Sequence, residues 1–247
     1  MSITAIIGGT GLTALDGLAI HREEVVDTRW GAVSAPVLVG EFHGHEVVFL
    51  ARHASDHSLP PHKINYRANI QALKTLGVDR IIAVNAVGGI TDSMASGVIC
   101  IPDQIIDYTS NREHTFFSDD FEVTNHIDFT LPYDEALRQS LIQGANDAGL
   151  DVMQEGVYGC VNGPRLETAA EIRRMECDGC DLTGMTGMPE AALARELGLP
   201  YASVCLVVNR AAGKAVGEIT MDAIRQVLAD GMQRVRQLIA ASLVSPR

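Results

Sequence analysis

No apolar run approaches the roughly 18 residues that a membrane-spanning helix needs, so no membrane partner is expected for this chain. The first strand-like run, residues 3–7, is too short for a secretory signal core, and no Lys or Arg precedes it. A cytoplasmic protein is the expectation. Positive charge is also in short supply: 19 Lys and Arg stand against 31 Asp and Glu, a formal net charge of −12. Nucleic-acid backbones and anionic membrane surfaces both require a basic patch, so neither is an expected partner. Cysteine is sparse and odd in number, five in 247 residues, which argues against a disulfide framework and suits free thiols. Cys177 and Cys180 form a lone CxxC with no further ligands at zinc-motif spacing, and the His53 and His57 pair lacks a carboxylate partner set. No metal is expected.

What is present is apolar and regularly punctuated. With 47% hydrophobic residues and no long linker, residues 1–247 are expected to form one α/β domain. Short runs rich in Val and Ile at 3–8, 47–51, 80–84, 98–106, 156–161 and 201–208 read as strands. Helical spacing marks 63–76, 134–148, 167–175 and 189–197, with Pro189 suited to a first helical position. Behind Thr220 as a prospective N-cap, Met221, Ile224, Leu228, Met232, Val235 and Ile239 recur at three- and four-residue steps. Strands alternating with helices imply a central sheet, mostly parallel or mixed, covered by helices on its faces. Residues 109–133 lack periodicity and are expected to be a long functional or interface loop.

In such sheets ligands collect at the carboxyl ends of strands, and the informative motifs fall there. Gly8-Gly9-Thr10-Gly11 follows the first strand and can offer backbone N–H groups and the Thr10 hydroxyl to an oxyanion. Arg52-His53 follows the 47–51 strand and supplies a forked cation and a titratable imidazole, chemistry suited to a phosphate dianion. A second reading of the first turn is a dinucleotide fingerprint on Gly9, Gly11 and Ala14, with Glu23, Glu24 or Asp27 as the acidic partner. It ranks second because the fingerprint must open a helix, whereas Ala14-Leu15-Asp16-Gly17 would soon break one.

Taken with Asn85-Ala86-Val87-Gly88-Gly89, Gly163-Pro164-Arg165-Leu166-Glu167-Thr168, Gly184-Met185-Thr186-Gly187-Met188-Pro189-Glu190 and Asn209, these motifs resemble the trimeric purine nucleoside phosphorylases, including their methylthioadenosine branch. The resemblance runs from about residue 4 to about residue 240. It implies that Thr10, Arg52, His53, Asn85, Ala86 and Thr186 hold phosphate. Glu167 and Asn209 would read the base, and Leu166, Gly184, Met185, Ile219 and Met221 would surround the nucleoside. His126 resembles a histidine that reaches into a neighbouring subunit's site, so a homotrimer is implied. Inorganic phosphate is then a co-substrate, and no cofactor is expected.

A carboxylate at Glu167 can accept from the N1–H of a 6-oxopurine, and an amide at Asn209 can donate to O6 and accept from N7–H. Adenine would leave those groups unmatched, at roughly 1 to 3 kcal/mol each. The methylthioadenosine enzymes carry Asp where Asn209 stands and a second carboxylate where Ala211 stands. The inosine and guanosine enzymes read the 5'-hydroxyl with a histidine, which residues 217–221 lack; Ile219 and Met221 offer an apolar surface instead. Leu166 replaces a usual aromatic. The expected activity is phosphorolysis of a 6-oxopurine nucleoside, foremost 5'-methylthioinosine. Alternatives are a general inosine/guanosine phosphorylase, a methylthioadenosine phosphorylase, or, in other classes, an NAD-binding oxidoreductase or a non-catalytic nucleoside-binding protein.

Overall fold

The computed structural model describes residues 2–244. In chain order the strands are β1 (Thr4–Gly8), β2 (Ala19–Glu24), β3 (Val37–Phe42), β4 (His45–Ala51), β5 (Arg80–Gly89), β6 (Ile99–Cys100), β7 (Gln104–Asp107), β8 (Val157–Cys160), β9 (Leu182–Gly184) and β10 (Tyr201–Arg210). The helices are α1 (Tyr66–Thr75), α2 (Glu135–Asp147), α3 (Ala169–Cys177), α4 (Gly187–Glu196) and α5 (Met221–Val244). All ten strands share one mixed sheet in the order β2-β3-β4-β1-β5-β9-β8-β7, with β10 paired to β5 and β6.

The centre of the sheet is parallel. β1 lies between β4 and β5, every one of its residues is buried, and β5 also pairs in parallel with β10. Burial on both faces is why these strands read as unbroken apolar runs. The periphery is different. β3 pairs antiparallel with β4 and β2 antiparallel with β3, and β2, a polar edge strand of sequence AIHREE, is almost wholly exposed and carries no strand signal. The expected strand at 98–106 divides at Pro102: β6 pairs antiparallel with β10, and β7 pairs in parallel with β8. Proline has no N–H to give a ladder, so the chain leaves one strand and joins another there.

Helix starts follow local chemistry. Asn65, Asp134 and Thr168 each accept a backbone N–H at the first turn of α1, α2 and α3, and Thr168 completes a capping box with Glu171. Met188 has non-helical dihedral angles, so regular α4 begins at Pro189. On α5, Thr220 accepts from Ala223, and Ile224, Leu228, Met232, Val235 and Ile239 are buried as the spacing requires. Each such side chain contributes roughly 1.5 to 3 kcal/mol through burial. Met221, first in that series, is 56% exposed and stays free for other contacts.

After Gly11 the chain makes turns, with Leu12 N–H donating to Gly9 O and Leu18 N–H to Leu15 O, and then enters β2. No helix opens there. The dinucleotide reading therefore loses the helix N-terminus on which its pyrophosphate would rest. Within 109–133 the only regular element is a 3-10 turn at Val123–Asn125. Arg112 ties that segment down by donating to the carbonyls of Asn162, Met185 and Met188. Among the described residues, no helix is long and apolar enough to cross a membrane.

Candidate active site

A cavity of about 250 Å³ opens at the carboxyl ends of β1, β4, β5, β9 and β10. Thr10, Arg52, His53, Asn85, Ala86 and Thr186 line it, and so do Leu166, Glu167, Gly184, Met185, Asn209 and Met221. One residue expected there lies elsewhere. Ile219 lines a neighbouring cavity of about 200 Å³ that shares Val208 and Asn209, because it precedes the Thr220 cap and so escapes the helical phase. Ile224, one turn beyond Met221 on α5, supplies the apolar wall in its place. His126 is exposed, packed edge-on against Phe121 at 5.2 Å, and does not line the cavity of its own chain.

At one end of the cavity, Arg52 departs from the free forked cation that its position suggests. It is fully buried, donates from Nε and Nη2 to both carboxylate oxygens of Glu190 at 2.7 and 2.8 Å, and donates from Nη1 to Val84 O at 2.9 Å. Burial alone would lower the Arg52 pKa; the Glu190 carboxylate more than offsets this and raises it. Tyr201 donates a further bond to Glu190 at 2.9 Å. One glycine is required by this packing: a Cβ on Gly9 would lie 2.5 Å from Val84 O and 2.9 Å from Arg52 Nη1. With the guanidinium charge matched by Glu190, an anion here must rely on N–H and O–H dipoles and on the residual Arg52 donors.

His53 is also altered from its expected state. Its Nδ1–H donates to Leu59 O at 2.8 Å, and burial, reinforced by Arg52, pulls its pKa from 6.5 down to about 4. The ring is neutral, its Nε2 is left as an acceptor and the residue lines the cavity, so it suits the P–OH of a protonated phosphate better than a bare dianion. A folded pKa below the unfolded one means that the unfolded chain takes the proton first on acidification. Stability therefore falls as pH drops from about 6.5 to about 4, by on the order of 3 kcal/mol from this residue. His53→Gln is expected to flatten that part of a pH series of denaturant melts; an unchanged slope would place the titrating group elsewhere.

The segment 85–89, which the sequence places beyond the 80–84 strand, is the second half of β5. Its glycines let other backbone come close: a Cβ on Gly89 would sit 1.8 Å from Met94 O. Asn85 is 1% exposed and donates from Nδ2 to Thr186 Oγ1 at 2.8 Å. Thr186 in turn stands at the N-cap of α4 without using its side chain to cap it.

At the other end, β10 carries a bulge that leaves Val208 unpaired between Val207 and Asn209, which re-aims Asn209 at the strand terminus. Asn209 Nδ2 donates to Arg210 O at 2.7 Å, and Arg210 is itself fixed by the carbonyls of Ile90, Thr91 and Met94. Glu167, just ahead of the α3 cap, accepts from the buried Thr183 hydroxyl at 2.8 Å. A larger cleft of about 650 Å³ adjoins through Glu167, but its Arg165 is paired with Glu171. Among the described residues no group of three or more His, Cys, Asp or Glu could hold a metal ion, and all five cysteines are free.

The sequence does not assign Glu190, Thr183 or Ile224 to the site. Glu190 sits in the conspicuous 184–190 stretch, yet 138 positions separate it from Arg52. Thr183 had no signal at all.

Residues 3–244 match the phosphorylase superfamily. The chain is 56% identical over 243 residues to a protein of Pseudomonas syringae pv. tomato described as a probable S-methyl-5'-thioinosine phosphorylase, covering 98% of this chain and 99% of the relative. It is 44% identical over 244 residues to the 6-oxopurine nucleoside phosphorylase of Pyrococcus furiosus, covering 97% of this chain and 91% of that one. Among solved structures, methylthioadenosine phosphorylase from Schistosoma mansoni in complex with adenine superposes with a TM-score of 0.93 at 30% identity, covering 98% of this chain and 91% of that chain. The chain belongs to the phosphorylase superfamily.

Proposed function

We propose that this protein is a pentosyltransferase that cleaves a 6-oxopurine nucleoside with inorganic phosphate, 5'-methylthioinosine being its preferred substrate. A phosphate oxygen bonds to the anomeric carbon as the bond from that carbon to N9 breaks. The bonding electron pair passes to the purine, which gains at N7 the proton that the phosphate's P–OH gives up, relayed by solvent. The products are hypoxanthine and 5-methylthioribose 1-phosphate. The reading needs no cofactor and no protein nucleophile.

One observation carries it: Glu167 and Asn209 line the same cavity as Thr10, Thr186 and His53. Base-reading and anion-holding groups thus face a common space in which a nucleoside and phosphate can meet, converting a bimolecular encounter into an oriented one. Electron density builds on the purine as the sugar carbon becomes oxocarbenium-like, and the Asn209 amide answers it at O6 and N7. Ala211, buried among Ile90, Ile172 and Met175, leaves no second carboxylate for an adenine amino group. Met221 and Ile224 give the sugar's 5' end an apolar wall suited to a methylthio group. The homologue names support the same choice of base.

A homotrimer in the cytoplasm is part of this reading. The exposed Phe121 and Val123 beside His126 support a subunit contact through the 109–133 segment, and five free cysteines suit a reducing compartment. The test is base release by the purified protein from methylthioinosine, inosine and methylthioadenosine, each with and without phosphate. Methylthioinosine is expected to lead methylthioadenosine by at least about tenfold in kcat/KM, with strict phosphate dependence. Faster cleavage of methylthioadenosine would overturn the base assignment; faster cleavage of inosine would overturn the apolar 5' pocket.

A further inference from the structure

Three buried side chains behind the anion end form a hydrogen-bond chain with a fixed direction. Ser203 on β10 is 1% exposed, and its Oγ donates to Asn85 Oδ1 at 2.7 Å. Asn85 Nδ2 donates to Thr186 Oγ1 at 2.8 Å. The Cys205 thiol lies 3.5 Å behind Ser203 Oγ, so Ser203 can receive a weak bond while giving a strong one.

Each link decides the next. A serine hydroxyl has one hydrogen, and here it goes to Asn85. That fixes which end of the Asn85 amide faces Thr186, namely the donor end. Thr186 Oγ1 is then an acceptor for Asn85, so its own single hydrogen must point elsewhere. The α4 cap is no outlet for it, since a cap uses the oxygen as acceptor and Thr186 makes no such bond. Among the described residues Thr186 has no side-chain acceptor, and it lines the cavity. Its O–H is thereby aimed at the space where an anion would sit.

We infer that Ser203 is a positioning residue for phosphate, acting through Asn85 to hold the Thr186 hydroxyl as a donor into the cavity. The inference rests on the phosphorolysis reading of this site. Its physical content is preorganisation: a donor held in advance costs no reorganisation when the anion arrives, which matters more where Arg52 is already matched by Glu190. Neither Glu167 nor Asn209 belongs to this chain of bonds. The effect should therefore fall on phosphate and spare the purine.

The experiment is steady-state phosphorolysis by full-length Ser203→Ala protein, varying phosphate and nucleoside separately, with Ser203→Cys alongside. Ser203→Ala is expected to raise KM for phosphate about tenfold while KM for the nucleoside stays within about twofold. Ser203→Cys, a weak donor of nearly the same shape, is expected to raise it about threefold and carries the same test should the alanine protein not fold. Asn85→Asp, which can only accept from Thr186, should exceed both. An unchanged phosphate KM in Ser203→Ala overturns the relay, as does an equal rise in both KM values, which marks general loosening. Phosphate-independent base release by the unsubstituted enzyme would instead sink the reading beneath it.

Discussion

Asn209→Asp moves preference away from 6-oxopurine and toward 6-aminopurine nucleosides, by on the order of a hundredfold in the ratio of kcat/KM values. The amide has one face that gives and one that takes, which matches O6 and a protonated N7. A carboxylate keeps the acceptor for N7–H but sets a second acceptor against O6, leaving two buried oxygens without a hydrogen between them. Against adenine the same carboxylate gains a partner in the N6 amino group. The change also removes the 2.7 Å bond that Asn209 gives to Arg210 O, a local cost common to both substrates that cancels in the ratio. Parallel kcat/KM measurements on methylthioinosine and methylthioadenosine decide the matter. A ratio equal to that of the unsubstituted enzyme would show that Asn209 does not read the six-position.

The groups that face this cavity were legible to different degrees, and the reason in each case is the range of the interaction. Thr10 stands where glycines follow an Ile-rich run, Asn209 stands where a Val-rich run stops, and the 184–186 turn is marked by its own Gly-Met-Thr-Gly sequence, all of them local signals. The α5 stripe was legible because one helical face packs on β10 and α2 while the other meets water, so its period survives in the sequence. Ile219 falls outside the cavity and Ile224 takes its place, since the sequence marks the apolar residues near the cap but not which of them face inward.

What escaped were features without local period. β2 is polar on both faces, β9 has three residues, and β6 and β7 were merged because the apolar content of 98–106 hid the break at Pro102. Arg52 and His53 were found as residues, yet their states were not foreseen. A guanidinium clamped by Glu190 and an imidazole held neutral by burial are consequences of tertiary neighbours far away in sequence. Ser203 and Thr183 each bond to another side chain of the site, and a single hydroxyl on a buried strand is indistinguishable from filler until its partners are seen.

The Arg52 and Glu190 pair leads to the second large effect. Glu190→Gln leaves a fully buried guanidinium without its counter-charge, and breaking such a pair typically costs about 3 to 5 kcal/mol. For a chain of 247 residues that corresponds to a fall in Tm of roughly 6 to 20 °C. Phosphate binding should weaken as well, since Arg52 lines the cavity and loses the fork that fixes its remaining donors. Energy alone does not explain why an ion pair occupies this place, because apolar side chains of similar volume often replace buried pairs with no loss. The Arg52→Met, Glu190→Leu double variant separates the two contributions. It is expected to regain most of the lost Tm while phosphorolysis stays impaired, since the apolar pair packs but offers no N–H to an anion. Calorimetry with phosphate titration distinguishes the outcomes. A Glu190→Gln protein as stable as the unsubstituted one would mean that water or another group already shares the charge. A double variant with normal phosphate affinity would remove Arg52 from the anion site altogether.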